Sequence, residues 1–227
     1  MPQVPVIDVL SLTWFVLLWA GYTVYADRRA RPARSLRAVM HRYRVQWMQQ
    51  MLLRDNRVAD VNIVRNLLAG VSFFASTTLL ILAGVVTVLG STDQVIVMVR
   101  ELPFAAGTTL VQWELKLLVL GVIFVYAFFK FTWALRQFNY CTTLIGAAPR
   151  GPDDVYAGRV AGIATHASKD FNQGLRAYYF SLAALGWFLS PWIFVAAATV
   201  VVLVLYVREY HSAALRMLSA DGAAPAG

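Results

Sequence analysis

The chain is 227 residues long, with 59% hydrophobic and 14% charged residues and a mean hydropathy of +0.59. Soluble domains run at roughly 45–50% apolar and about 25% charged, so the composition excludes an ordinary soluble globule and places the chain in a bilayer. The net charge of +8 does not call for nucleic acid, because ten of the twenty Lys and Arg are arginines between Arg28 and Arg65, directly after an apolar run. The positive-inside rule puts them there, with contact to anionic lipid as a second use.

The first apolar run, residues 7–25, is long enough to cross a hydrocarbon core of ~30 Å. No basic residue precedes it, no small-residue cleavage pattern follows, and the cluster DRRARPAR comes after it, so an uncleaved span with its N-terminus outside is expected. Over residues 33–57, Leu36, Val39, Met40, Tyr43, Trp47, Met48, Met51 and Leu52 recur at spacings of three and four, which is an amphipathic helix. Two placements are open for it: in the headgroup region with its arginines on lipid phosphates, or extending span two into the cytoplasm and packing on a partner helix.

Span two is expected over 67–89. Ala69, Ser72, Ser76, Ala83 and Thr87 line one face of it, and close helix approach is favoured over a lined pore. Residues 91–113, with Pro103 and Gly107, read as an external connection with a surface helix in VIVMVREL. Span three covers 115–135, between Glu114 and Lys116 at its outer end and Arg136 at its inner end. In the second cytoplasmic segment, 136–176, Asp153 is placed to cap a helix. Along that helix Gly158, Gly162, His166, Asp170 and Gly174 recur every four residues and read as a close-packing seam.

The last apolar run, 177–207, is ~46 Å long if fully helical, more than one crossing needs. Pro191 makes one kinked span the expectation, with a hairpin in GWFLSPW as the lesser reading. The tail DGAAPAG is expected to fray. The fold class that follows is all-α: a four-span transmembrane helix bundle with amphipathic cytoplasmic helices, residues 1–227 forming a single membrane domain. The cytoplasmic segments 26–66 and 136–176 hold fifteen of the twenty Lys and Arg, so both termini are expected outside, and a bacterial inner membrane is the expected location.

Polar groups at the inner ends of these spans are the site candidates: Asp60 and Asn66 before span two, Lys130, Arg136 and Asn139 at the end of span three, Asn172 and Arg176 at the start of span four. An ionisable group inside a span is costly unless paired, hydrated or snorkelling. Lys130 stands ~9 Å along the axis from Arg136, so it either snorkels, pairs with Asp60, or serves a ligand or ion. The lone cysteine, Cys141, and the well-separated His41, His166 and His211 supply no metal-site spacing. No cofactor is implied. The sequence holds no GxSxG, HExxH, Walker or GxGxxG motif in a fitting context, so an enzyme is not favoured.

The strings RVADVNIVRN and SFFAST around span two, YAFFKFTWALRQFNY in span three and FNQGLRAYYFSLAALGWFLSP in span four resemble the domain-of-unknown-function family 599, found in bacteria and in plants. The resemblance covers almost the whole chain. It implies an integral membrane protein of about four spans and carries no activity with it. The residues themselves favour an oligomeric channel or transporter, with Lys130, Arg136 and Arg176 forming a basic cytoplasmic vestibule. The alternative is a non-catalytic scaffold or accessory subunit that binds a partner protein or anionic lipid through the 33–57 helix, and a lipid-acting enzyme comes third.

Overall fold

A computed structural model of the chain describes residues 5–29, 35–92 and 109–220. Among these residues all regular structure is helical: α1 (Val6–Arg29), α2 (Leu36–Leu52), α3 (Val58–Gly90), α4 (Leu110–Ala147), α5 (Asp154–Leu185), a 3-10 turn (Gly186–Phe188), α6 (Pro191–Tyr210) and α7 (Ala213–Ala220). Among the described residues four stretches, Val6–Arg28, Val58–Gly90, Leu110–Ala147 and Pro191–Leu218, are long and apolar enough to cross a membrane, since ~20 residues suffice. The chain is an integral membrane protein. The helix expected in VIVMVREL and the DGAAPAG tail lie outside the described residues.

Local chemistry sets the helix ends. Ser35 caps α2 by accepting from the Ala38 amide at 3.2 Å, and Asp153 Oδ1 accepts from the Tyr156 amide at 2.8 Å, the cap its position predicts. The α4 C-terminus is closed by a side chain from elsewhere: the Arg57 guanidinium donates to the carbonyls of Ala148 at 2.6 Å, Pro149 at 2.7 Å and Ile145 at 3.3 Å. A cation is favoured where unpaired carbonyls gather at a helix end. Gly151, at φ 96°, then turns the chain in a left-handed conformation suited to glycine and donates to Leu52 O at 3.3 Å.

The chain divides into two compact units, and α1, α3, α4, α5 and α6 each contribute residues to both. The first unit draws on Met1–Tyr25, Ala75–Phe129 and Gln173–Val204. At its core Phe15 of α1 meets Phe180 edge-on at 5.5 Å and Phe194 at 4.9 Å, and Phe194 stacks on Trp187 at 5.0 Å. Phe180 and Phe194 would stand ~21 Å apart on one straight helix, so the chain must reverse between them.

That reversal corrects the expectation of one kinked span over 177–207. The segment is two helices, α5 and α6, joined by a tight turn over 186–190. Pro191 starts α6, where its missing donor costs nothing, instead of kinking a continuous helix. Gly186 permits the close approach, since a Cβ there would meet Ile193 Cγ2 at 3.0 Å and the Ile193–Phe194 backbone at 3.5 Å. Running along α1 from Asp8 through Phe15 to Tyr22, the partners on the other side descend from Trp187 through Phe180 to Arg176. Thus α5 is antiparallel to α1, and α6 runs parallel to it. Within the first unit α1 and α6 therefore begin at one end and point the same way.

The second unit draws on Ala26–Phe74, Lys130–Asn172 and Leu205–Gly227. Phe74, Phe131 and Phe171 form a ring cluster, with pairwise centroid distances of 5.6–5.7 Å. The apolar face of α2 completes the core through Val39, Met48, Met51 and Leu52, all buried, and α7 packs on α2. The apolar face of this amphipathic helix is thus covered by helices of its own chain, and α2 does not extend span two, since it ends at Leu52 and α3 begins at Val58. Gly158 and Gly162 have open space where a Cβ would stand, so the four-residue glycine ridge is not a close-packing seam at those positions.

Candidate functional site

The densest polar network lies in the second unit. Asp170 of α5 takes Lys130 Nζ on Oδ1 at 3.0 Å and Gln137 Nε2 on Oδ2. Both donors come from α4, and their spacing of seven residues, two helical turns, puts them on one face. The expected pairing of Lys130 with Asp60 does not occur. Asp60 is fully buried and takes Trp47 Nε1 at 2.7 Å and Arg54 Nη1 at 2.6 Å, both on Oδ1, while its Oδ2 has no hydrogen-bond partner.

A second knot joins three helices: Asp27 of α1 accepts from Arg37 Nη1 of α2 and Lys169 Nζ of α5, each at 3.0 Å. Beside it Arg44 Nη2 donates to Ser168 Oγ at 2.9 Å, and His41 Nδ1 lies 2.9 Å from Thr165 Oγ1. Burial lowers the Arg44 pKa below its ordinary value, with the nearby Arg37 charge adding to the effect.

The shared inner rim does not assemble from the seven candidates. Asn66, Arg136, Asn139 and Asn172 are all exposed. The helical period explains this, because Val64, Phe131, Ala134, Phe138 and Gly174 take the inward positions beside them. Arg136 instead donates Nε to Tyr140 Oη at 2.6 Å and lies 5.9–6.0 Å from the Tyr140 and Trp133 ring centroids, the arrangement of an interfacial anchor. Arg176 belongs to the first unit, buried, with its guanidinium 5.7 Å from the Tyr22 ring centre.

The first unit also holds charges that sequence reasoning passed over. Asp8, 5% exposed, accepts from Trp187 Nε1 at 2.7 Å. Lys116, 6% exposed, donates to the Trp187 carbonyl at 2.9 Å and stands 5.5 Å from its ring centre. The indole thus joins an acid and a base at the 3-10 turn, and the α5 end offers Lys116 the negative pole of its dipole.

A family model described as protein of unknown function, DUF599, matches residues 10–214. The chain belongs to this family. No curated protein and no solved structure matches it. For this DUF599 member the four strings that carried the resemblance all fall within the matched range, and so do both ends of the Lys130–Asp170 pair. Asp8 lies just before that range. Its signal in the sequence was a carboxylate two residues into an apolar helix, and nothing in periodicity separates such a residue from an ordinary span-end charge.

Proposed function

We propose that this protein is an oligomeric channel or transporter of a plasma-type membrane, whose path is lined by α3. The observation that carries the reading is the outward face of α3. Ala69, Ser72, Ser76, Ala83 and Thr87, the small and hydroxylated stripe of span two, are all exposed in the single chain. Arg65, four residues before Ala69, is exposed on the same face. Lipid tails offer hydroxyls no partner, whereas a neighbouring copy or a water-filled path offers both close packing and hydrogen bonds.

Arg65 replaces Lys130 as the cation at the inner mouth, because Lys130 is held by Asp170 and Arg136 by its aromatic neighbours. An anion is therefore the favoured passenger. The accessory-subunit alternative has less support: Met48, Met51 and Leu52 of α2 are already covered by the chain itself, and the Trp47 indole is bonded to Asp60. In a Cys141→Ser background, Ser76→Cys should form intermolecular disulfides in membranes on mild oxidation. The purified protein in liposomes should pass anions, with the preference for them reduced by Arg65→Gln. Monomeric Ser76→Cys protein together with no ion flux would overturn the proposal.

A further inference from the structure

The face of α2 that meets α5 concentrates positive charge, and the charge is held in place by contacts between the helices. Arg37, His41 and Arg44 recur at spacings of four and three, so they share one face of α2. Thr165, Ser168 and Lys169 come toward them from α5. Both hydroxyls already donate to their own helix, Thr165 to Ala161 O at 2.8 Å and Ser168 to Ala164 O at 3.0 Å. At the interhelical contacts the hydroxyl oxygens therefore accept, and His41 donates through Nδ1.

Three permanent cations, Arg37, Arg44 and Lys169, stand here against Asp27, which takes Arg37 on one oxygen and Lys169 on the other. Glu209 reaches the edge of the cluster, where Oε1 accepts from the Arg37 backbone amide at 3.4 Å. The adjacent Asp170 is engaged by Lys130 and Gln137. Among the described residues Arg44 has no carboxylate within ion-pair distance, and the buried Arg37 Nε has no hydrogen-bond partner. A part-buried guanidinium without a counter-charge is unfavourable, and burial, with the Arg37 charge adding to it, lowers the Arg44 pKa.

We propose that this α2–α5 face binds a phosphate group, with Arg44 as its principal ligand, Arg37 Nε and His41 as further donors, and the Ser168 and Thr165 hydroxyls turning to donate. Planar guanidinium forks and hydroxyls converging from two helices suit a tetrahedral oxyanion with several acceptor oxygens. Arg37 and Lys169 share Asp27, which lies at the end of the apolar stretch Val6–Arg28. That level is reached equally by a lipid headgroup phosphate and by a soluble phosphate compound. The site does not rest on the pore reading, and the two succeed or fail by separate measurements.

The test is thermal unfolding of the full-length protein in phosphatidylcholine nanodiscs, with added inorganic phosphate in one arm and phosphatidic acid replacing part of the lipid in another. Potassium chloride at matched ionic strength is the control. One or both phosphate probes should raise the transition temperature of the wild type, and Arg44→Gln should weaken the response by roughly tenfold in probe concentration. Ser168→Ala should weaken it less, and Arg159→Gln, an exposed cation away from the cluster, not at all. Without a probe Arg44→Gln should be no less stable than the wild type, because it removes an uncompensated charge. A response to inorganic phosphate assigns a soluble compound, and a response to phosphatidic acid alone assigns a headgroup. The proposal is overturned if neither probe shifts the transition, if chloride shifts it as much, or if Arg44→Gln responds like the wild type.

Discussion

Asp170 carries more of the second unit than its half-buried position suggests, because one carboxylate serves two donors from α4. Asp170→Asn removes the carboxylate charge that the Lys130 ammonium pairs with, and a loss of about 2 kcal/mol is expected, discounted from fully buried pairs because Lys130 keeps 28% side-chain exposure. Adding Lys130→Gln should recover part of that loss, since the two effects are not additive for a contacting pair. Denaturant unfolding of the two single variants and the double variant in detergent checks both statements. In the first unit, Trp187→Phe keeps the stacking on Phe194 and removes the indole donor to Asp8. A cost of about 1–3 kcal/mol follows from a buried carboxylate oxygen left unmet. At this scale the sequence marked the costly residue but not its partner. Lys130 stood out because it interrupts an aromatic span, whereas Asp170 sits forty residues on in a helix whose inward face only the packing reveals.

Among the elements, α4 shows how a long helix is ended from a distance. Arg57→Ala leaves the carbonyls of Ile145, Ala148 and Pro149 without their shared donor, and about 2 kcal/mol of stability should go with it, read as a lower transition temperature in detergent. The α5–α6 turn is similarly narrow. Gly186→Val must displace Ile193, so a loss of about 1–3 kcal/mol from overpacking is expected in the same measurement. The existence of α1 to α4, the Asp153 cap and the amphipathic character of α2 were all legible, because each is written in a local period or a local cap. What covers α2 was not, since an apolar stripe carries the same pattern whether its partner is lipid, another protein or the same chain. The α5–α6 break was only the lesser reading, the hairpin in GWFLSPW, for a related reason: an unbroken apolar run hides a reversal when the turn itself is built from Trp187, Phe188 and Leu189 and carries no polar marker.

For the molecule as a whole, the parallel course of α1 and α6 predicts that the two ends of the chain meet different compartments. Reporter fusions at Met1 and after Leu218 should therefore give opposite activities in intact cells, and matching activities would contradict the helix directions. Among the described residues four stretches meet the length and apolarity needed to cross alone, and α5 is not among them, since Asp170, Gln173 and Arg176 interrupt its apolar residues. Its partner α6 is strongly apolar and follows after only the five residues 186–190. The expected consequence for synthesis is that α5 enters the bilayer together with α6, as a hairpin, and not alone. Chains cut after Leu189 should leave α5 on the side where it was made, whereas chains that continue through α6 should not, which protease protection of the α5 segment in isolated membranes reads.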